Sequence, residues 1–211
     1  MPTLYETSRL LASQSYQQWV STELFSFGWF FTLGVLAIIY VIWLKLVDTN
    51  RLSQLLLMGS LSAIGFVIGE LALIELFGVA EYKIRPIPFI PPLFIISITK
   101  APVLFMLAQQ YSTSWKIYAL WAAAGSAVLS FVLFPLYSLI GIFQLHNWSY
   151  FYQFIYMFTN GLVARGLLLL VLSLEQGYSF RSGLNQVFGG LQPAAAKPLA
   201  MDKNEKTDSE Q

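Results

Sequence analysis

Between Gly59 and Gln110 the chain reads GSLSAIGFVIGELALIELFGVAEYKIRPIPFIPPLFIISITKAPVLFMLAQQ, two apolar segments around one short polar link. The first carries Glu70 and Glu75, the link runs Glu81-Tyr82-Lys83-Ile84-Arg85-Pro86-Ile87-Pro88, and the second has Lys100 near its middle. Each apolar segment reaches the roughly 20 residues that a helix needs to cross a bilayer. Pro86 and Pro88 cannot continue a helix, so the link breaks the chain into two antiparallel crossings. An acid and a base inside such segments are the least expected residues of the sequence, because lipid solvates neither.

The rest of the chain has the same character. Of its 211 residues 56% are hydrophobic, 16% aromatic and 11% charged, against about 25% charged in an ordinary soluble domain. Mean hydropathy is +0.62. A soluble fold has no interior large enough to hide that much apolar surface, and the composition predicts an all-α integral membrane bundle. Five spans are expected, over about Phe25–Leu46, Gln54–Phe77, Phe89–Gln110, Lys116–Ile142 and Tyr150–Leu174. They make one membrane domain over 24–175, between a polar, interfacial segment at 1–23 and a charged tail at 176–211 that reads as disordered and cytoplasmic. The first span is expected to serve as its own uncleaved signal. Trp29 and Trp43 near its two ends suit the headgroup level, as do Trp148, Tyr150 and Tyr152 after the fourth span.

Orientation follows from the Lys and Arg residues beside the spans. With the N-terminus outside, the inner face holds Lys45, Arg51, Lys116, Arg181, Lys197, Lys203 and Lys206, and the outer face Arg9, Lys83 and Arg85. Seven against three predicts N-out, C-in. Inside the spans, Pro102 and Pro135 predict kinks, the first beside Thr99 and Lys100. Gly65 and Gly69 form a small-xxx-small pair, and Ala122, Ser126 and Ser130 form a smooth strip at four-residue intervals. Two readings stand for the glycine pair: packing against another helix of the same chain, or a contact between copies.

On this topology Glu70 lies about 10 Å below the outer end of its span, and Lys100 about 18 Å below the start of its own. A lysine stem spans several Å, so the two can meet. They read either as a fixed structural pair or, with Thr99, as the lining of a pathway for a proton, ion or small solute. Asn160 and Arg165 are secondary polar residues of the fifth span, Arg165 deep enough to reach the inner headgroups, and Glu75 lies near the outer interface. Catalytic signatures are thin. The chain has no Cys, which removes disulfides and thiolate chemistry, and His146 is its single His. No phosphate-cradling glycine loop and no nucleophile elbow occur. A non-enzyme without cofactor or metal is expected, its partners being the bilayer and another copy or a membrane protein. The net charge of +1 forms no basic face for nucleic acid.

A set of short motifs carries a resemblance. Trp43-Leu44-Lys45-Leu46-Val47-Asp48 with Arg51-Leu52, Glu81-Tyr82, Pro91-Pro92-Leu93, Pro102-Val103 with Met106-Leu107, and Gln110-Tyr111 follow in order. They continue with Trp115-Lys116, Ser130-Phe131, Pro135-Leu136 and Asn147-Trp148 before Tyr150. From Trp43 to Gly166 the chain resembles a family of small polytopic membrane proteins of endospore-forming Firmicutes, known only by a clostridial locus name and without an established activity. The resemblance implies a multi-pass protein of a bacterial cell membrane and supplies no substrate, cofactor or catalytic residue. Members tend to carry an acid in the third span, where this chain has Ile96-Ser97-Ile98-Thr99-Lys100, and another where it has Phe134.

Overall fold

A computed structural model of the chain describes residues 3–88 and 98–175. The N-terminal half of the expected third span, from Phe89 through Ser97, and the expected tail at 176–211 lie outside the described residues. The helices are α1 (Leu4–Gln18), α2 (Phe27–Leu46), α3 (Leu52–Glu70), α4 (Lys100–Gln110), α5 (Trp115–Val128), α6 (Phe134–Ile140) and α7 (Tyr150–Glu175). Two short strands, β1 (Ala80–Tyr82) and β2 (Phe143–Leu145), pair antiparallel. Three wide π-helical turns join in: Trp19–Glu23 after α1, Leu71–Leu76 after α3 and Leu129–Leu133 between α5 and α6.

Among the described residues, four helical stretches are long and apolar enough to cross a membrane: Phe27–Leu46, Thr49–Ile74, Trp115–Ile140 and Tyr150–Glu175. Around them the chain is tied at both ends. At one end β1 pairs with β2, and a Cβ on Gly28 would meet Ile84 Cδ1 at 2.6 Å and Ile142 Cγ1 at 3.0 Å. At the other, Gln110 Nε2 donates to the Leu46 carbonyl at 2.7 Å and Asp48 N donates to Gln110 Oε1 at 2.9 Å. The 20 residues of α2 separate these ends by about 30 Å. Gln110, at the end of α4, thus lies at the end opposite to the strand pair. The helix α4 has 11 residues and covers about 16 Å. This helix is the centre of the bundle, with Ala101, Val103, Phe105, Met106, Ala108 and Gln109 all buried.

Two proline expectations come out differently. Pro102 does not kink a span in its middle, because α4 begins at Lys100 and places Pro102 in the first turn. Backbone N–H groups there have no intrahelical acceptor, so the missing proton costs nothing and the fixed φ suits the helix start. Pro102→Ala is accordingly expected to change thermal stability by less than about 1 kcal/mol, whereas a mid-helix proline would give a clear gain on removal. Pro135 follows the π-helical turn Leu129–Leu133, which widens the helix where the ring would press on the preceding turn. Gly141 (φ +79°) then ends α6 in the left-handed conformation that glycine adopts without cost.

The N-terminal segment is more ordered than its sequence predicts. Thr3 and Glu6 form a capping box, Thr3 N donating to Glu6 Oε2 at 2.8 Å and Glu6 N to Thr3 Oγ1 at 3.3 Å. The 15-residue helix that follows keeps Tyr5, Leu10, Leu11 and Tyr16 exposed, apolar groups suited to the surface of a bilayer.

Candidate functional site

Glu70 ends α3, immediately before the π-helical turn, and is buried. The Tyr82 hydroxyl donates to Glu70 Oε1 at 3.3 Å. Tyr82 is held by β1 and by its ring contact with Phe143, centroids 4.9 Å apart. Burial, and then the Glu70 carboxylate beside it, push the Tyr82 phenol well above its usual range, so it remains a proton donor to the acid. Lys100 opens α4 after the buried Thr99, and its Nζ lies 5.6 Å from the centroid of the Tyr137 ring on α6. The described contacts of the two charges include the tyrosines Tyr82 and Tyr137.

Lys100 also borders a cavity. An open groove of about 440 Å³ runs along α4 between α2 and α5, walled by Ile39, Ile42, Leu107, Trp121 and Val128, and Lys100 is the charged residue of its lining. Glu75 lies in the turn Leu71–Leu76, and its side chain falls outside what is described.

The packing residues read from the sequence meet within the chain. Gly65 faces Asn160 and Gly69 faces Tyr156, both on α7. The absent side chains let polar tips reach the α3 backbone: Asn160 Nδ2 donates to the Ser62 carbonyl at 3.0 Å and the Tyr156 hydroxyl to the Phe66 carbonyl at 3.2 Å. These carbonyls already serve the helix, so the bonds are shared and add helix-to-helix specificity. Ala122, Ser126 and Ser130 are fully buried, and Ser130 Oγ approaches Met157 Sδ on α7 at 3.5 Å.

Arg165 is 2% exposed and folds against α5, its guanidinium carbon 4.5 Å from the Tyr118 ring centroid and 5.2 Å from that of Trp115. His146 stays exposed beside β2, its Nε2 3.4 Å from Glu81 Oε2, across the strand pair.

One constellation escaped the sequence reading. Arg85, in the proline link, and Glu23, in the turn after α1, form a buried ion pair. Glu23 Oε2 accepts from Arg85 N at 2.8 Å and from Nε at 2.9 Å, while Nη2 donates to Oε1. Ser15 on α1 accepts from Nη1 at 2.6 Å. Trp19 Nε1 and Trp29 Nε1 donate to the carbonyls of Arg85 and Pro86 at 2.9 and 3.1 Å, closing the latch. The available signal was an indole on each side of Glu23, Trp19 and Trp29, and a link whose prolines leave carbonyls unused by any helix.

Comparison with known proteins returns nothing: no family profile, curated protein or solved structure matches the chain.

Proposed function

We propose that this chain is a multi-pass protein of a bacterial cell membrane, with five crossings, N-out and C-in, that acts without catalysis through helix contacts with itself or a membrane partner. The membrane part rests on one observation. The stretch Phe27–Leu46 has a mean hydropathy of 2.2, yet only 11% of it is buried in the bundle. An apolar helix that leaves so much of its surface uncovered is stable in lipid and not in water. The family resemblance to polytopic proteins of endospore-forming Firmicutes belongs to the same proposal.

The non-catalytic part rests on where the buried charges go. Glu70 meets Tyr82, Lys100 meets Tyr137, and Arg165 meets Trp115 and Tyr118, each contact joining two segments at its own depth. Such contacts between segments fasten helices together. A second reading, a carrier or channel for a proton, ion or small solute, is favoured by the groove that reaches Lys100.

Purified protein in liposomes holding a pH-sensitive dye separates the two. The first reading expects vesicles as tight as protein-free ones under an imposed potential or gradient. It also expects Glu70→Gln to cost about 1–3 kcal/mol of stability through the weakened Tyr82 bond. Flux through the wild type that Glu70→Gln abolishes would establish the second reading instead.

A further inference from the structure

At the end of the bundle that carries the strand pair, an open cavity of about 460 Å³ lies between β2, α6 and the start of α7. Its volume falls within the range of small-ligand sites. Lys83 is the charged residue of its lining, with Ser138, Gln144, Trp148 and Tyr150 around it. The Lys83 backbone is fixed, its N–H donating to the Ile142 carbonyl at 2.8 Å, while the residue itself is exposed, as is Gln144. The Tyr150 hydroxyl donates to Ser138 Oγ at 3.1 Å, which leaves the serine proton to donate onward. Trp148 Nε1 donates to Gln153 Oε1 at 3.2 Å, and this bond sets the plane of the indole. A cation beside hydroxyl and amide donors is the set that an anionic, oxygen-rich group takes.

From this cavity a continuous row of rings leads along α7. The Trp148 ring centroid lies 5.3 Å from that of Tyr152, Tyr152 6.4 Å from Phe151, Phe151 6.4 Å from Phe154, and Phe154 5.9 Å from Phe158. Phe131, in the turn between α5 and α6, joins the row at 5.7 Å from Phe154. Phe131, Phe151 and Tyr152 are exposed, so the row is a strip on the outside of the bundle. From Tyr150 to Phe158 the helix rises about 12 Å, close to the roughly 15 Å of hydrocarbon in one leaflet. A free solute would fill the cavity and leave the strip unused; a lipid has a part for each. We propose that cavity and strip together bind one anionic phospholipid of the outer leaflet, its phosphate at Lys83 and an acyl chain along Phe151, Phe154 and Phe158. The choice of leaflet, and of a lipid at all, rests on the membrane reading above.

Native mass spectrometry of the detergent-solubilised full chain, titrated with phosphatidylglycerol and with phosphatidylcholine, tests the site. The expected result is retention of phosphatidylglycerol over phosphatidylcholine by about five-fold, a preference that Lys83→Gln removes. Arg9→Gln takes an equal charge from α1, outside the cavity, and is expected to leave the preference intact. Phe131→Ala combined with Phe151→Ala, both at exposed positions, is expected to weaken retention of both lipids and keep the preference. An excess of glycerol 3-phosphate, which has the headgroup chemistry without the chains, is expected not to displace the lipid; displacement would assign the cavity to a free solute and overturn the proposal. Equal retention of the two lipids by the wild type, a preference lowered as much by Arg9→Gln as by Lys83→Gln, or retention indifferent to the ring substitutions also overturns it. Those outcomes leave the membrane reading standing, whereas a chain that proves soluble without detergent overturns both.

Discussion

Glu23→Ala is expected to destabilise the protein by about 3–5 kcal/mol, the cost of leaving a buried guanidinium without its carboxylate. Glu23 is 1% exposed and Arg85 8%, and one carboxylate takes the Arg85 backbone N–H together with two nitrogens of its side chain. Water cannot replace those bonds without opening the contact between α1 and the proline link. Loss of the acid therefore also frees α1, and residues 4–18 become sensitive to proteolysis while the spanning helices stay protected. Arg85→Met leaves the opposite charge buried and is expected to cost a similar amount. The double substitution, with both charges gone, is expected to cost less than the sum of the two, a coupling that a double-mutant cycle on purified protein reads directly. Single substitutions that each stay within about 0.5 kcal/mol of wild type would class the pair with exposed surface bridges and contradict the latch.

Gly69→Val is the second large effect. A Cβ there would sit 2.6 Å from both Cζ and Cε2 of Tyr156, so the ring would have to move, and its hydroxyl would lose the Phe66 carbonyl. Overpacking of this kind costs about 1–3 kcal/mol, and here it separates α3 from α7 along their contact. Gly166 lies on the same α7 helix with nothing within 4 Å of the position of a Cβ. Gly166→Ala is expected to be neutral or stabilising by up to about 1 kcal/mol, since Ala is the better helix former. Thermal unfolding of the two variants side by side distinguishes close approach from a general intolerance of side chains at glycine.

The long apolar helices were legible because hydropathy and length are local properties, and a bilayer-length segment has few other fates. The glycine pair was legible as a packing face, while its partner was not: Asn160 and Tyr156 lie about ninety residues away, and spacing carries no trace of that contact. Glu23 and Arg85 are separated by 62 positions and each looks like an ordinary interfacial charge, so the latch was invisible. Pro102 misled because its place in the helix depends on where α4 starts, which tertiary packing around Lys100 sets. Lys100 and Glu70 stood out in the sequence as buried charges, while their contacts with Tyr137 and Tyr82 did not, because an aromatic residue in an apolar chain gives no sign of which charge it will meet. The same holds for Arg165, whose described neighbours are the rings of Trp115 and Tyr118.

The proposed arrangement has five crossings of lipid, with the strand pair at the outer end and Gln110 at the inner. Single-cysteine labelling tests this most directly, and the absence of native cysteine allows it without a background substitution. In intact cells, Lys83→Cys is expected to react with a membrane-impermeant maleimide, and Lys116→Cys to react only once the membrane is opened. Labelling of both positions from the same side would contradict the account.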